Sequence, residues 1–192
     1  MAKKYQNNIT DDLRQQIWDL GRIRPLDLFK IAAWKSAKGL AELTLNSEDD
    51  IAEATSIAVS SVRTLENVDV LNSDVDWAAW ESSVRIAVGV WNQSGLMKLR
   101  GVGYPMATAI LCALLPRTFP VMDKWALSGL FGITEKEAKS TKWHHASEYK
   151  KYTQALVNST ISIDPDSIHL RDKYFMDIGM GRIPANSQTV VD

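Results

Sequence analysis

Residues 96–111 read Leu-Met-Lys-Leu-Arg-Gly-Val-Gly-Tyr-Pro-Met-Ala-Thr-Ala-Ile-Leu, and residues 116–131 read Pro-Arg-Thr-Phe-Pro-Val-Met-Asp-Lys-Trp-Ala-Leu-Ser-Gly-Leu-Phe. Leu96 and Leu99 stand three apart, as on one face of a short helix, and Ala107, Ile110 and Leu111 resume helical spacing. Between them Gly101 and Gly103 bracket Val102, which predicts a sharp turn through backbone angles that other residues resist. A second helix, over 105–115, follows at once with Pro105 in its first turn, where proline is tolerated. Backbone N–H groups left over at such a helix start, with the helix dipole behind them, suit a phosphate oxygen. The small Ala107 lets the two helices approach. A dinucleotide fingerprint is excluded, because a helix precedes the glycines and Met106 stands at the third-glycine position. An ordinary helix–helix turn is the competing reading.

Asp123 follows a Phe-Pro-Val-Met turn and precedes a helix-forming run, which is an N-cap position. A carboxylate there accepts backbone N–H bonds and stays ionised. If helices 105–115 and 124–131 pack as a hairpin, Asp123 emerges near the phosphate-binding turn, and a fixed carboxylate beside a phosphate clamp suits attack on a nucleoside. The alternative is that Asp123 only caps its helix.

Outward from this segment, helical periodicity runs nearly everywhere and strand signals are almost absent. Thr10 or Asp11 starts a first helix closed by Gly21, and Pro25 opens a second with Gly39 beyond its end. Ser47 caps a third helix through Ile51, Ala54, Ala58, Val59 and Val62. Asp74 or Asp76 begins a fourth, whose stripe runs Trp77, Trp80, Val84, Ala87, Val88 and Trp91 and which Gly95 ends. Segments 140–158 and 166–178 are expected to be the last two long helices, with 134–148 ambiguous.

The 192 residues are 45% hydrophobic and 23% charged, ordinary for a globular chain that buries a core without disulfides. Cys112 is the single cysteine, in an apolar run, so an internal disulfide and a four-cysteine cluster are excluded. No apolar stretch approaches the roughly 20 residues of a membrane span, and the N-terminus lacks the apolar core of a secretory signal. The expectation is therefore a cytoplasmic protein with no membrane partner. A net charge of −1 argues against coating nucleic acid by bulk attraction, so any DNA contact has to be local.

The pattern Leu-x-Gly-Val-Gly-x-x-x-Ala, then Ala-Ile-Leu, then Phe-Pro-Val-x-Asp, from Leu99 to Gly129, resembles the helix-hairpin-helix (HhH-GPD) base-excision DNA glycosylases. Adenine glycosylase and endonuclease III are the nearest in motif. The step of 20 residues from Gly103 to Asp123 fits as well. The resemblance implies an all-α, two-lobed glycosylase-like fold with a central helix-hairpin-helix, which flips the target base of double-stranded DNA into the cleft between lobes. It implies one lobe over 22–131, a second from 1–21 plus 132–182, and a loose tail at 183–192. Its hairpin amides bind a DNA phosphate, here at Gly101, Gly103 and Met106, often with a monovalent cation on the hairpin carbonyls. Its aspartate, here Asp123, assists departure of the base.

Departures narrow the reading. Where strand-cleaving members carry a lysine, this chain has Pro105, which has no amine for a Schiff base, so a monofunctional N-glycosylase is expected. The iron–sulfur cysteines are missing, and no cofactor beyond the cation is implied. The counterpart of the glutamine-rich pocket helix, residues 28–36, is apolar and then basic. A non-catalytic DNA-binding protein keeping the hairpin is the alternative. The end of the chain, 168–175, resembles small bacterial proteins that share this hairpin.

Lys98, Arg100, Arg117 and Lys124 flank the hairpin and form either a local basic patch or a solvated face. Trp34, Lys35 and Trp125 are candidates for a base pocket, an indole stacking on an extruded base, or else core and surface positions. Adjacent His144 and His145 point apart on a helix, poor geometry for a shared metal, and no metal site is expected. Tyr149, Tyr152 and the pair Arg171–Asp172 are expected to make structural hydrogen bonds between lobes.

Overall fold

Short polar side chains set where the helices begin. In the computed structural model, which describes residues 11–35, 37–161, 163 and 167–184, the Ser47 side chain accepts the Asp50 amide ahead of α4 (Glu48–Val62). Asp76 accepts the amides of Ala78 and Ala79 at 3.0 Å and so starts α5 (Trp77–Val88). Asp123 caps α7 (Lys124–Phe131), Thr134 forms a capping box on α8 (Glu135–Ala138), and Ser167 caps α10 (Ile168–Gly179). The remaining helices are α1 (Asp11–Leu20), α2 (Pro25–Lys35), α3 (Ala37–Leu43), α6 (Tyr104–Leu114) and α9 (Ala146–Val157). All secondary structure among the described residues is helical. None of these helices is long and apolar enough to cross a membrane.

The chain divides into two compact units, Met1–Thr64 with Ile86–Leu114, and Leu65–Arg85 with Leu115–Asp192. This division differs from the expected lobes. Helix α1 belongs with the hairpin unit, and Arg14 Nε donates to the Ala113 carbonyl at the end of α6 at 3.2 Å. The hairpin and Asp123, expected in one lobe, belong to different units.

In the first unit α6 is the central element: every residue of it except Pro105 is buried, as a helix apolar on all sides requires. Helix α2 packs on it, and the buried apolar residues of this unit also include Ile17 and Trp18 of α1, Leu28 and Ile31 of α2, and Ile51, Ala54, Ala58 and Val59 of α4. Buried Thr55 accepts the Ile23 amide at 3.2 Å and donates to the Ile51 carbonyl at 2.7 Å, which ties the turn before α2 to α4. In the second unit α7 lies directly on α10. A Cβ built on Gly129 would sit 1.9 Å from the Phe175 carbonyl oxygen, and one on Gly179 would sit 2.0 Å from that of Trp125. Only residues without a side chain permit backbones so close. Trp80, Phe119 and Tyr149 form the aromatic core of this unit, with ring centroids 5.4 Å and 5.1 Å from Trp80.

Several expected boundaries move. Thr10, Ser36 and Asp166 lie outside the described residues, as do residues 185–192 of the expected tail. Gly39 falls inside α3 instead of ending α2. Helix α5 ends at Val88, ahead of Gly89 at φ +74°, so Trp91 leaves the expected stripe and is 55% exposed. Segment 140–158 is broken: a single 3-10 turn, Thr141–Trp143, precedes α9.

Candidate functional site

The hairpin of the first unit begins with a 3-10 turn, Leu96–Lys98, where a short helix was expected. Leu99 and Val102 are buried, and the Val102 amide donates to the Leu99 carbonyl at 3.2 Å. Gly101 carries the turn at φ +81°, the left-handed region that an L side chain resists. Gly103 does not share that conformation. A second constraint at Gly101 is distance, since a Cβ there would meet the Gly39 carbonyl oxygen of α3 at 2.4 Å. Asn46 holds the turn from the other side: its Oδ1 accepts the Arg100 amide at 2.9 Å, and its Nδ2 donates to the Arg100 carbonyl at 3.1 Å. Sequence reasoning did not single out Asn46, because nothing local marks a side chain that bridges 54 positions.

Among the described residues, the amides of Gly101 and Gly103 donate no hydrogen bond within the protein. Both residues are half-buried and stand just ahead of α6. Met106 differs from expectation, because its amide already donates to the Gly103 carbonyl at 3.0 Å and its side chain is buried. Lys98 Nζ lies 2.5 Å from Glu53 and 3.2 Å from Asp50, and these hydrogen-bonded carboxylates, Glu53 first, hold its pKa above the ordinary lysine value. Arg100 is exposed. Trp34 and Lys35, near the end of α2, are half-buried in this unit. Trp91 adds an aromatic ring not expected here: its edge would lie 3.7 Å from a Cβ on Gly103.

Asp123, Lys124 and Trp125 belong to the second unit. Asp123 has extended backbone, φ −128° and ψ 171°, and its Oδ1 accepts the amides of Trp125 and Ala126, both at 3.0 Å. The residue is half-buried. Lys124 is ion-paired with Glu135, and its Nζ lies 4.2 Å from the centroid of the Trp125 ring. The Lys124 hydrogen bond, with Lys139 second, pulls the Glu135 carboxyl down to about 2. The ammonium of Lys124 is thus committed to Glu135 and to an indole face.

The residues expected to bridge lobes belong to the second unit and make hydrogen bonds within it. Arg171 donates to the carbonyls of Leu156, Val157 and Ser159 at the end of α9. Tyr149 Oη donates to the Pro120 carbonyl at 2.5 Å, and the Val121 amide donates to Asp172 Oδ2 at 3.3 Å. Tyr152 donates to Asp172 Oδ1, and burial, then the Asp172 charge, hold its hydroxyl pKa well above the ordinary value. Tyr152 therefore stays a proton donor.

Each unit accordingly collects part of the expected set. The first holds two available amides beside Arg100, and the second holds a capped, part-exposed carboxylate. Comparison with protein-family models, curated proteins and solved structures finds no match to this chain.

Proposed function

We propose that this chain binds double-stranded DNA through its hairpin and acts as a monofunctional N-glycosylase, with Asp123 assisting release of a base. The observation that carries the reading is the pair of undonated amides at Gly101 and Gly103, placed by a left-handed turn ahead of an 11-residue helix. Such a pair fits one phosphate oxygen of a strand. The resemblance of segment 99–129 to base-excision glycosylases supplies the reaction. In it the bond between C1′ and the base nitrogen breaks, the electron pair leaves with the base, and water gives hydroxide to C1′ and a proton to the base. Asp123 stabilises the positive charge that develops on the sugar, a contribution made only in the transition state. Pro105 leaves no amine at the position where strand-cleaving glycosylases carry their lysine, so the product is an abasic site with its strand intact.

A second reading, a DNA-binding protein without catalysis, is favoured by the ordinary cap that Asp123 makes and by the carboxylate partners of Lys98 and Lys124. One experiment separates the two. End-labelled duplexes containing uracil, hypoxanthine, an alkylated adenine or 8-oxoguanine are incubated with the protein and then treated with alkali. Cleavage that appears only after alkali, and is absent for Asp123→Asn, supports the glycosylase. Binding to every duplex with no cleavage supports the non-catalytic reading. No binding to any duplex refutes both.

A further inference from the structure

One peptide group of the second unit is held at both of its ends. The carbonyl of Pro120 and the amide of Val121 belong to the same plane, with the oxygen and the N–H pointing in opposite directions. Tyr149 Oη of α9 donates to the oxygen at 2.5 Å, and Asp172 Oδ2 of α10 accepts from the N–H at 3.3 Å. The clamp then closes on itself, because Tyr152, one turn on from Tyr149 along α9, donates to the other oxygen of Asp172. Tyr149 and Tyr152 are fully buried, and Asp172 is 4% exposed. The clamped plane lies two residues ahead of Asp123.

A buried carboxylate is a costly way to hold a turn, since removal from water is offset only when its oxygens are well hydrogen-bonded. Phe119, Val121 and Met122 are themselves buried, so apolar packing already anchors this segment against translation. The two hydrogen bonds fix in addition the rotation of the 120–121 peptide plane, and with it ψ of Pro120 and φ of Val121, two of the torsions that lead the chain into α7. The cap of Asp123 joins its side chain to the amides of Trp125 and Ala126, in the following turn of the same segment.

We propose that Asp172, Tyr149 and Tyr152 are positioning residues for Asp123, fixing the peptide plane that aims its carboxylate. The inference rests on the base-release reading for its consequence in activity, but not for its consequence in structure. A misplacement of about 1 Å costs on the order of 100-fold in rate even when the reacting groups are intact. The clamp therefore acts on kcat while leaving DNA affinity alone.

The test compares the parent, Asp172→Asn, Tyr149→Phe and Asp123→Asn by amide hydrogen exchange, duplex affinity and single-turnover base release. Asp172→Asn presents a mixed donor and acceptor where two donors converge, and Tyr149→Phe deletes one hydroxyl with the ring kept, so the second survives if the first fails to fold. In both clamp variants exchange at Trp125 and Ala126, the amides that Asp123 caps, should quicken at least tenfold. The α10 amides from 174 to 178 should keep parental rates. Base release should fall about 10- to 100-fold with affinity unchanged. Unchanged exchange at Trp125 and Ala126 in folded Tyr149→Phe overturns the inference whether or not any substrate is found. Equal exchange losses throughout α7, α9 and α10 also overturn it, by showing a general structural role. If Asp123→Asn releases base like the parent, the glycosylase reading falls, while the exchange result still decides the clamp.

Discussion

The hairpin makes two glycines with different tolerance, and replacing each by alanine measures the difference. At Gly101 an alanine must adopt φ +81°, which costs an L residue about 1–2 kcal/mol. Its Cβ would also lie 2.4 Å from the Gly39 carbonyl oxygen and 2.9 Å from the Leu43 amide nitrogen. Both are backbone atoms of α3, so relief requires moving a helix, and overpacking of this kind adds about 1–3 kcal/mol. The sum is about 2–5 kcal/mol. At Gly103 the backbone is ordinary and the nearest atoms are the Trp91 ring at 3.7 Å and Pro105 Cδ at 3.9 Å, which is plain van der Waals contact. Only the poorer helix start remains there, about 0.5–1 kcal/mol. Thermal unfolding followed by circular dichroism should place Gly101→Ala on the order of 10 °C below the parent, at 2–4 °C per kcal/mol for a chain of this size. Gly103→Ala should fall within about 4 °C. Duplex affinity should reverse the emphasis, because a methyl beside the Gly103 amide crowds a bound phosphate while the fold persists. Equal stability of the two variants would refute the assignment of the turn to Gly101 and the contact with α3.

Three further outcomes are expected. A carboxyl-detected NMR titration should find Glu135 at about 2, and Lys124→Met should return it toward its ordinary 4.5. Because the folded value is depressed, the stabilisation is complete above about 4.5 and is lost as pH falls through about 2, so Glu135 should give the melting temperature no pH dependence between pH 5 and 8. Thr55→Val, which deletes a buried hydroxyl serving the Ile23 amide and the Ile51 carbonyl, should lower urea-measured stability by about 1–3 kcal/mol. Glu53→Gln should loosen Lys98 and, if Lys98 then meets a phosphate, steepen the slope of log affinity against log salt by about 0.9; an unchanged slope places Lys98 off the DNA path.

Local chemistry was legible in the sequence, and contact between distant segments was not. Ser47, Asp76 and Asp123 act as caps because the carboxylate or hydroxyl and the amides it takes lie within three residues, so composition and order suffice. Gly21 closes α1 at φ +69° for the same reason. Gly39 reads as a helix terminator, yet it lies inside α3, where its carbonyl faces Gly101 across the sequence. Trp91 fits a helical stripe by spacing, but Gly89 turns the chain away after Val88 and leaves the ring beside Gly103. The hairpin amides followed the same division. That Gly101 and Gly103 leave N–H groups ahead of a helix is local; that the Met106 amide is taken by the Gly103 carbonyl depends on how tightly the first turn winds.

The charge pattern around the hairpin constrains how such a protein could hold DNA. The chain as a whole carries a net charge of −1, and Lys98, the lysine next to the hairpin turn, is bound by Glu53 and Asp50, so it adds little Coulomb attraction at the hairpin. Two amides and a helix dipole are oriented groups of partial charge, effective only at contact distance. They favour one phosphate in one register and attract nothing from afar. Arg100 is the exposed cation nearest to them in sequence, and Asn46 fixes its backbone through both amide and carbonyl, so its position is set while its side chain stays in solvent. On the proposed reading, DNA is then discriminated by fit at a single strand position more than by residence along the duplex. Under the proposed base release the same holds for Asp123, because a carboxylate serves a single sugar and only when that sugar is correctly placed.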